Sequence, residues 1–165
     1  MLLKLCVVTL NELIKELKVN EVLSSLITAY RSRDINYLSS AIELIHEEFT
    51  YTVSESEELT GDLLRRVSIL HALYCIGLGL IKVLKSESPG VEPLKVLDEA
   101  FMYNDMTSLT QSLISAVMLA LSGNYSWLND MTNVLRERKG SQPLVEGIVS
   151  SFLDMMNAFR SMISS

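Results

Sequence analysis

One segment of the sequence occurs twice, and this duplication is the strongest constraint on the fold. Residues 20–38 align without gaps on residues 91–109, at a shift of 71 positions. In both copies apolar residues recur at helical spacing, a small residue ends the first helix, and an Asp precedes the apolar residue that starts the next helix. The identical pairs are Glu21/Glu92, Leu23/Leu94, Leu26/Leu97, Ala29/Ala100, Asp34/Asp105 and Leu38/Leu109. Each copy therefore predicts two helices joined by a short turn, and residues 120–128 form a looser third copy.

Composition extends this helical prediction to the whole chain. Seven Gly and three Pro among 165 residues are too few for the tight turns of a β-sandwich or barrel, and an apolar fraction of 48% is ample for a core. We therefore predict an all-α fold of about seven or eight antiparallel helices from duplicated helical hairpins, arranged as a short repeat stack or a closed bundle. The length favours a single domain over residues 1–165. Its two halves, about 9–85 and 91–163, are joined by a linker with Ser, Pro and Gly at 86–90.

Short motifs predict where individual helices begin and end. Thr9 and Glu12 have the spacing of a capping box, which predicts that the first helix starts at Thr9. Ser54 and Glu57 have the same spacing and predict a polar loop over residues 50–60, followed by a long apolar helix. After the linker, the pattern predicts helices over about 92–103, 105–121, 126–138 and 142–162, with left-handed residues at Gly123 and Gly140.

The turn in the first copy resembles that of a known repeat family. Residues 29–41 resemble the turn of a tetratricopeptide-type repeat, in which small residues on both sides let paired helices pack closely, and the shift of 71 is near twice that family's repeat length. Arg33 and Asn104 occupy the position where the family favours Gly. The resemblance implies a stack of helical hairpins with a concave face for a peptide or protein. Duplicated hairpins in a closed bundle are the alternative.

Charge, cysteine content and hydropathy limit the surroundings of the chain. The formal charge of −6 and the pI near 4.9 disfavour broad contact with phosphates, so nucleic acid is expected only indirectly, within a complex. Cys6 and Cys75 provide no disulfide framework and favour a cytoplasmic location. Residues 1–10 are interpreted as a buried first element rather than a signal sequence. Polar residues such as His71 interrupt the apolar stretch at 67–84, so we predict a buried helix and no membrane span.

Arg66 and His71 form the candidate catalytic pair. The sequence Arg66-Val-Ser-Ile-Leu-His71 fits Arg-x4-His and resembles the motif of the HEPN superfamily of helical ribonucleases. That resemblance implies an enzyme in which the two side chains act on an RNA phosphodiester. The alternative that we favour is a basic first helical turn and a histidine packed into an apolar helix, and Val67 departs from the polar residue usual in that family.

Two further patterns suggest metal or nucleophile chemistry without completing a site. His71 and Cys75 lie on one helical face, but no nearby carboxylate orients the imidazole. Glu43 and His46 match the Glu-x-x-His element of di-metal bundles, which requires a second copy that the sequence lacks. We therefore predict no metal and no cofactor.

The remaining candidate residues indicate binding to a protein partner. Apolar residues in the last helix cover more than one face, which predicts contact with both the core and another chain. A run of acidic residues predicts attraction to a basic segment. The expected contact residues are Phe152, Met155, Met156, Phe159, Met162, Glu55, Glu57 and Glu58. We expect a non-catalytic interaction or assembly subunit that binds a partner, or itself, through apolar helical faces. The alternatives are a HEPN-like ribonuclease and a small helical subunit of a nucleoprotein complex.

Overall fold

The part of the chain that the structure describes folds into eight α-helices and contains no strand. The computed structural model describes residues 2–55 and 57–164, with side chains from Thr9 onward. The helices are α1 (Leu2–Lys15), α2 (Val19–Arg31), α3 (Ile35–Ser54), α4 (Gly61–Leu84), α5 (Pro93–Tyr103), α6 (Met106–Leu121), α7 (Trp127–Glu137) and α8 (Pro143–Ser164). The all-α prediction with about eight helices is confirmed.

Helix α4 is the centre around which the other helices pack. It contacts α2 and α3 from the first half of the chain and α6 and α8 from the second half. Because neighbours cover it on several sides, its sequence is apolar around most of its circumference. Among the described residues, α4 is the one helix long and apolar enough to cross a membrane, with a mean hydropathy of 2.0, yet 72% of that apolar window is buried within the chain. The helices therefore close around α4, and packing within the chain accounts for its hydropathy.

Small residues allow three helices to approach α4 closely. A Cβ atom added at Gly77 would lie 2.8 Å from Cγ1 of Ile42 in α3, and one at Gly79 would lie 2.5 Å from Cγ1 of Val117 in α6. On α8, a Cβ atom at Gly147 would lie 2.5 Å from Oγ of Ser68. All three distances are shorter than ordinary van der Waals contact. Close helix packing therefore explains Gly77 and Gly79 of α4.

The duplicated turns have the same backbone structure. Arg33 and Asn104 both adopt left-handed conformations, with φ of 56° and 50°. The next residue in each copy donates its N–H to the carbonyl five positions earlier, over 2.9 Å from Asp34 to Ala29 and over 3.1 Å from Asp105 to Ala100. This is the hydrogen bond of a Schellman motif. Both Asp side chains then cap the following helix by accepting backbone N–H groups.

The left-handed backbone conformations predicted for two glycines are also confirmed. Two of the predicted helix boundaries, in contrast, are wrong. Gly123 and Gly140 have φ of 91° and 89°. Helix α1 starts before Thr9, which lies inside the helix, because the apolar residues upstream continue it. Helix α3 continues to Ser54, since Thr52 is buried and donates its hydroxyl to the carbonyl of Glu48, so the expected capping box at that loop does not form. The side chains of residues 1–8, part of the predicted buried first element, lie outside the described residues.

Candidate functional site

Helices α3 and α4 share a cluster of four rings that includes both histidines of the chain. The ring centroids of His46 and Tyr74 are 5.3 Å apart, and those of Phe49 and His71 are 5.4 Å apart. The remaining two contacts, His46 to Phe49 and His71 to Tyr74, span 6.3 Å and 6.1 Å. These separations are typical of aromatic packing. The cluster fixes how the two helices align and places one histidine inside and the other outside.

His71 is the inner histidine and is held in its neutral form. Its Nε2 atom lies 2.9 Å from the hydroxyl oxygen of Thr110 on α6, and that hydroxyl donates its own proton to the carbonyl of Met106. The Thr110 oxygen can therefore only accept, so Nε2 carries the imidazole proton. Burial, followed by the nearby charge of His46, lowers the pKa of His71 to about 4. The imidazole is thus an uncharged packing residue near neutral pH.

Arg66 does not join His71 in a shared site. The two residues are five positions apart in the helix, which places them roughly 140° apart around the axis of α4. The Arg66 guanidinium forms an ion pair with Glu48 on α3 at 2.6 Å, whereas His71 bonds to α6. The two side chains therefore face different helices. The ribonuclease alternative gains no support from this geometry.

Cys75 and the acidic residues near the rings provide no nucleophile or metal centre in the described chain. The Cys75 thiol is fully buried, and burial raises its pKa well above the usual value, which keeps it protonated. Within residues 2–55 and 57–164, no group of three or more His, Cys, Asp or Glu residues is arranged to hold a metal ion.

The apolar residues of α8 that were expected to meet a partner lie mostly inside this chain. Phe152, Met155, Met156 and Phe159 are buried, and Met162 is half-buried with its carbonyl accepting a hydrogen bond from Arg31. Helix α8 packs against α2, α4, α6 and α7, so its broad apolar surface faces several helices of the same chain. The four buried side chains leave no surface for a second chain, which corrects their assignment as docking residues.

The expected acidic residues, in contrast, lie on the surface beside apolar side chains that the sequence did not single out. Tyr51 is 60% exposed, Leu63 is 40% exposed and Val53 is 37% exposed. Glu55, Glu57 and Glu58 are exposed in the loop that joins these ends of α3 and α4. We call these six residues the acidic corner. The exposure of Tyr51 and Val53 was not predicted from the sequence. Both residues continue the apolar pattern of α3, and that pattern does not show at which residue the neighbouring helices stop covering α3.

A groove lies further along the same pair of helices. Ile42, Glu43, His46 and Glu47 of α3 and Tyr74 of α4 line a cavity of about 250 Å³. His46 and the two glutamates are exposed, while Ile42 is buried at the base against Gly77. We call these five residues the α3–α4 groove. The spacing of Glu43 and His46 in the sequence predicts that they lie on one face of α3. The presence of Tyr74 in the same groove could not be predicted, because it depends on how α4 aligns with α3.

No protein family, curated protein or solved structure matches this chain. The resemblance to tetratricopeptide repeats therefore stays a prediction that rests on the two turns. The residues of the acidic corner and the groove are the basis for assigning a function.

Proposed function

We propose that this protein is a non-catalytic interaction subunit and that the acidic corner binds a basic, partly apolar segment of a protein partner. One observation carries the proposal. Three apolar side chains are exposed at the end of α3 and the start of α4, namely Tyr51, Val53 and Leu63, and three exposed glutamates lie in the loop between these helices. A partner segment that covers Tyr51 or Val53, near the end of α3, lies close to the loop that carries these carboxylates. Mixed apolar and complementary charged contact is what a specific protein interface requires.

The charge around the corner selects for a basic partner. Between Asp34 and Leu64 the sequence contains no Lys or Arg, and the glutamates of α3 and the following loop outnumber the exposed Arg65 at the start of α4. Arg66, which comes soon after, is already paired with Glu48. The excess of negative charge repels nucleic-acid phosphates, and it also repels the corner of a second copy of this chain. A heterologous protein segment rich in Lys or Arg is therefore the favoured occupant.

The buried chemistry-bearing residues support a binding role over a catalytic one. His71 and Cys75 are both enclosed by the core, and each is held in its uncharged form. Arg66 is engaged by Glu48. We therefore assign His71, Cys75 and Arg66 to packing and helix alignment.

A photo-crosslinking experiment tests the proposal in the native cells. The full chain carries a benzophenone amino acid in place of Tyr51 or, as a matched control, in place of Tyr103, which is an exposed aromatic residue at the end of α5. We expect the corner probe to give a discrete protein adduct whose crosslinked peptide is rich in Lys or Arg. In lysates of the same cells, irradiated at increasing salt, the yield of the adduct should fall between about 0.1 M and 1 M, because the screening length falls from about 10 Å to 3 Å.

A charge-reversal variant separates specific from nonspecific adducts. Replacing Glu55, Glu57 and Glu58 with Lys should abolish the adduct, while helicity and thermal stability change little because all three side chains are exposed. The proposal fails if the corner and control probes give the same adducts, if the crosslinked peptides are acidic, or if charge reversal leaves the adduct unchanged.

A further inference from the structure

We propose that the α3–α4 groove binds an arginine side chain of the same partner segment. This inference rests on the proposed function, because it specifies one contact of that partner. The groove combines three features that suit a guanidinium group. It has a cavity of about 250 Å³, two aromatic rings at its wall and two carboxylates at its rim.

The two carboxylates at the rim are electrostatically uncompensated. Glu43 and Glu47 are exposed, and neither forms an ion pair with any residue that the structure describes. Their neighbour Glu48 differs, since it is neutralised by Arg66 at 2.6 Å. Helix α3 itself contains no Lys or Arg. A cation entering the groove therefore meets net negative charge that the chain does not satisfy internally.

The two rings favour arginine over lysine. The rings of His46 and Tyr74 both line the groove, with their centroids 5.3 Å apart and their planes tilted by 35°. A planar guanidinium stacks on aromatic faces and also forms paired hydrogen bonds with carboxylates, whereas an ammonium group is compact and strongly hydrated. Ile42, at the base, provides an apolar surface for the methylene groups of the side chain.

The position of the groove sets the spacing of the partner motif. Glu47 in the groove and Glu55 in the acidic corner are eight residues apart, a distance of about 12 Å along a helix. An extended segment covers this distance with about four residues. The partner segment is therefore expected to place an arginine about four residues from the basic and apolar residues that contact the acidic corner.

Titration with small probes tests the groove without requiring the partner. The full-length protein is titrated with N-acetyl-arginine amide, and NMR resonances of Tyr74 and His46 report binding. The neutral analogue N-acetyl-citrulline amide has almost the same shape, and N-acetyl-lysine amide carries the same charge. We expect saturable shifts with the arginine probe, weaker binding of the lysine probe and no binding of the citrulline probe.

Two double variants make the test specific for the groove. Replacing Glu43 and Glu47 with Gln should weaken binding of the arginine probe about tenfold, since both attractive charges are removed. Replacing Glu16 and Glu21 with Gln alters the net charge equally at exposed positions on or near other helices and should leave binding unchanged. Equal losses in both variants, equal binding of citrulline, or shifts spread over the whole acidic surface would overturn the groove assignment.

The corner probe distinguishes this inference from the proposed function. If the Tyr51 adduct persists at full yield in the Glu43→Gln/Glu47→Gln variant, the groove does not contact the partner and only the inference fails. If the arginine probe binds the groove but no basic adduct forms at Tyr51, the proposed function fails and the groove loses its assigned source of arginine. A reduced adduct in the groove variant, with unchanged helicity, supports both.

Discussion

At the scale of single residues, His71 links one hydrogen bond to the stability of the whole fold. Its imidazole donates from Nε2 to Thr110 and is enclosed between α3, α4 and α6. Protonation would place a charge where water is excluded and where the neighbouring His46 opposes it. The folded state therefore resists a proton that the unfolded chain accepts readily.

The stability of the protein should fall as the pH decreases from about 6.5 to about 4. These limits are the pKa of His71 in the unfolded chain and its pKa in the folded protein. In this window the unfolded state binds the proton and the folded state does not, so stability is present above the window and is lost through it. The loss amounts to about 3 kcal/mol. Urea unfolding at several pH values measures it.

Two variants identify the histidine responsible for this pH dependence. His71→Leu should remove most of the loss of stability across the window, whereas His46→Gln should keep most of it, because burial is the larger cause of the lowered pKa of His71. An unchanged slope in His71→Leu would contradict the assignment.

Arg33 offers a second prediction at the residue scale. It has φ of 56°, a conformation in which a side chain is strained and glycine is not. We expect Arg33→Gly to raise the free energy of unfolding by about 1 kcal/mol. Asn104→Gly should gain less, since Asn tolerates this conformation better than most residues. Chemical denaturation checks both, and a loss of stability in Arg33→Gly would show that the Arg33 side chain makes a contact that outweighs the strain.

At the scale of elements, the close approach of α4 to α6 depends on Gly79. A methyl group there would lie 2.5 Å from Cγ1 and 2.7 Å from Cβ of Val117. We expect Gly79→Ala to cost about 2 kcal/mol, because overpacking exceeds the gain in helix propensity. Thermal unfolding measures the effect, and adding Val117→Ala should restore part of the stability.

The matched control for that variant is Gly90→Ala. Gly90 has nothing within 4 Å of its Cβ position, so the substitution should change stability little. If Gly79→Ala were as harmless as Gly90→Ala, helix α4 would have room to move away from α6, and the close packing would not be a constraint.

At this scale the sequence could predict features that depend on residues close together in the chain, and it could not predict features that depend on distant helices. The caps at Asp34 and Asp105 were predictable because their hydrogen bonds connect residues within a few positions. The motifs at Thr9 and Ser54 are equally local, but whether a helix starts there depends on burial from distant elements. Helix α8 is a similar case. Its apolar residues indicate that several of its faces are covered, but they do not indicate whether this chain or a partner covers them. Tyr74 joins Glu43 only through the alignment of α3 with α4.

At the scale of the whole molecule, the two halves of the chain complete each other. Helix α4 precedes the linker and is covered by α6 and α8, which follow it. The linker residues 86–90 are exposed, so they can accept a protease site without disturbing the core. We expect a chain cut in this linker to remain one folded particle. The packing of α4 against α6 and α8 is noncovalent, so it can hold the two fragments together after the backbone is cut.

Size-exclusion chromatography and circular dichroism measure this outcome. The cut protein should elute with the intact protein and keep its helicity, whereas a chain ending at residue 90 should aggregate through the uncovered faces of α4. Two separate, soluble and helical fragments would show instead that each half buries its own core.

The position of α4 in the chain also has a consequence during synthesis. A ribosome that has just completed this helix must add about 80 more residues before α6 and α8 are both present, which takes roughly 4 to 16 seconds at ordinary elongation rates. During that interval α6 and α8 cannot yet cover a segment with the length and hydropathy of a membrane anchor. We therefore expect α4 to be open to factors that recognise apolar helices until α6 and α8 are made, and the synthesis of these two helices should end that exposure.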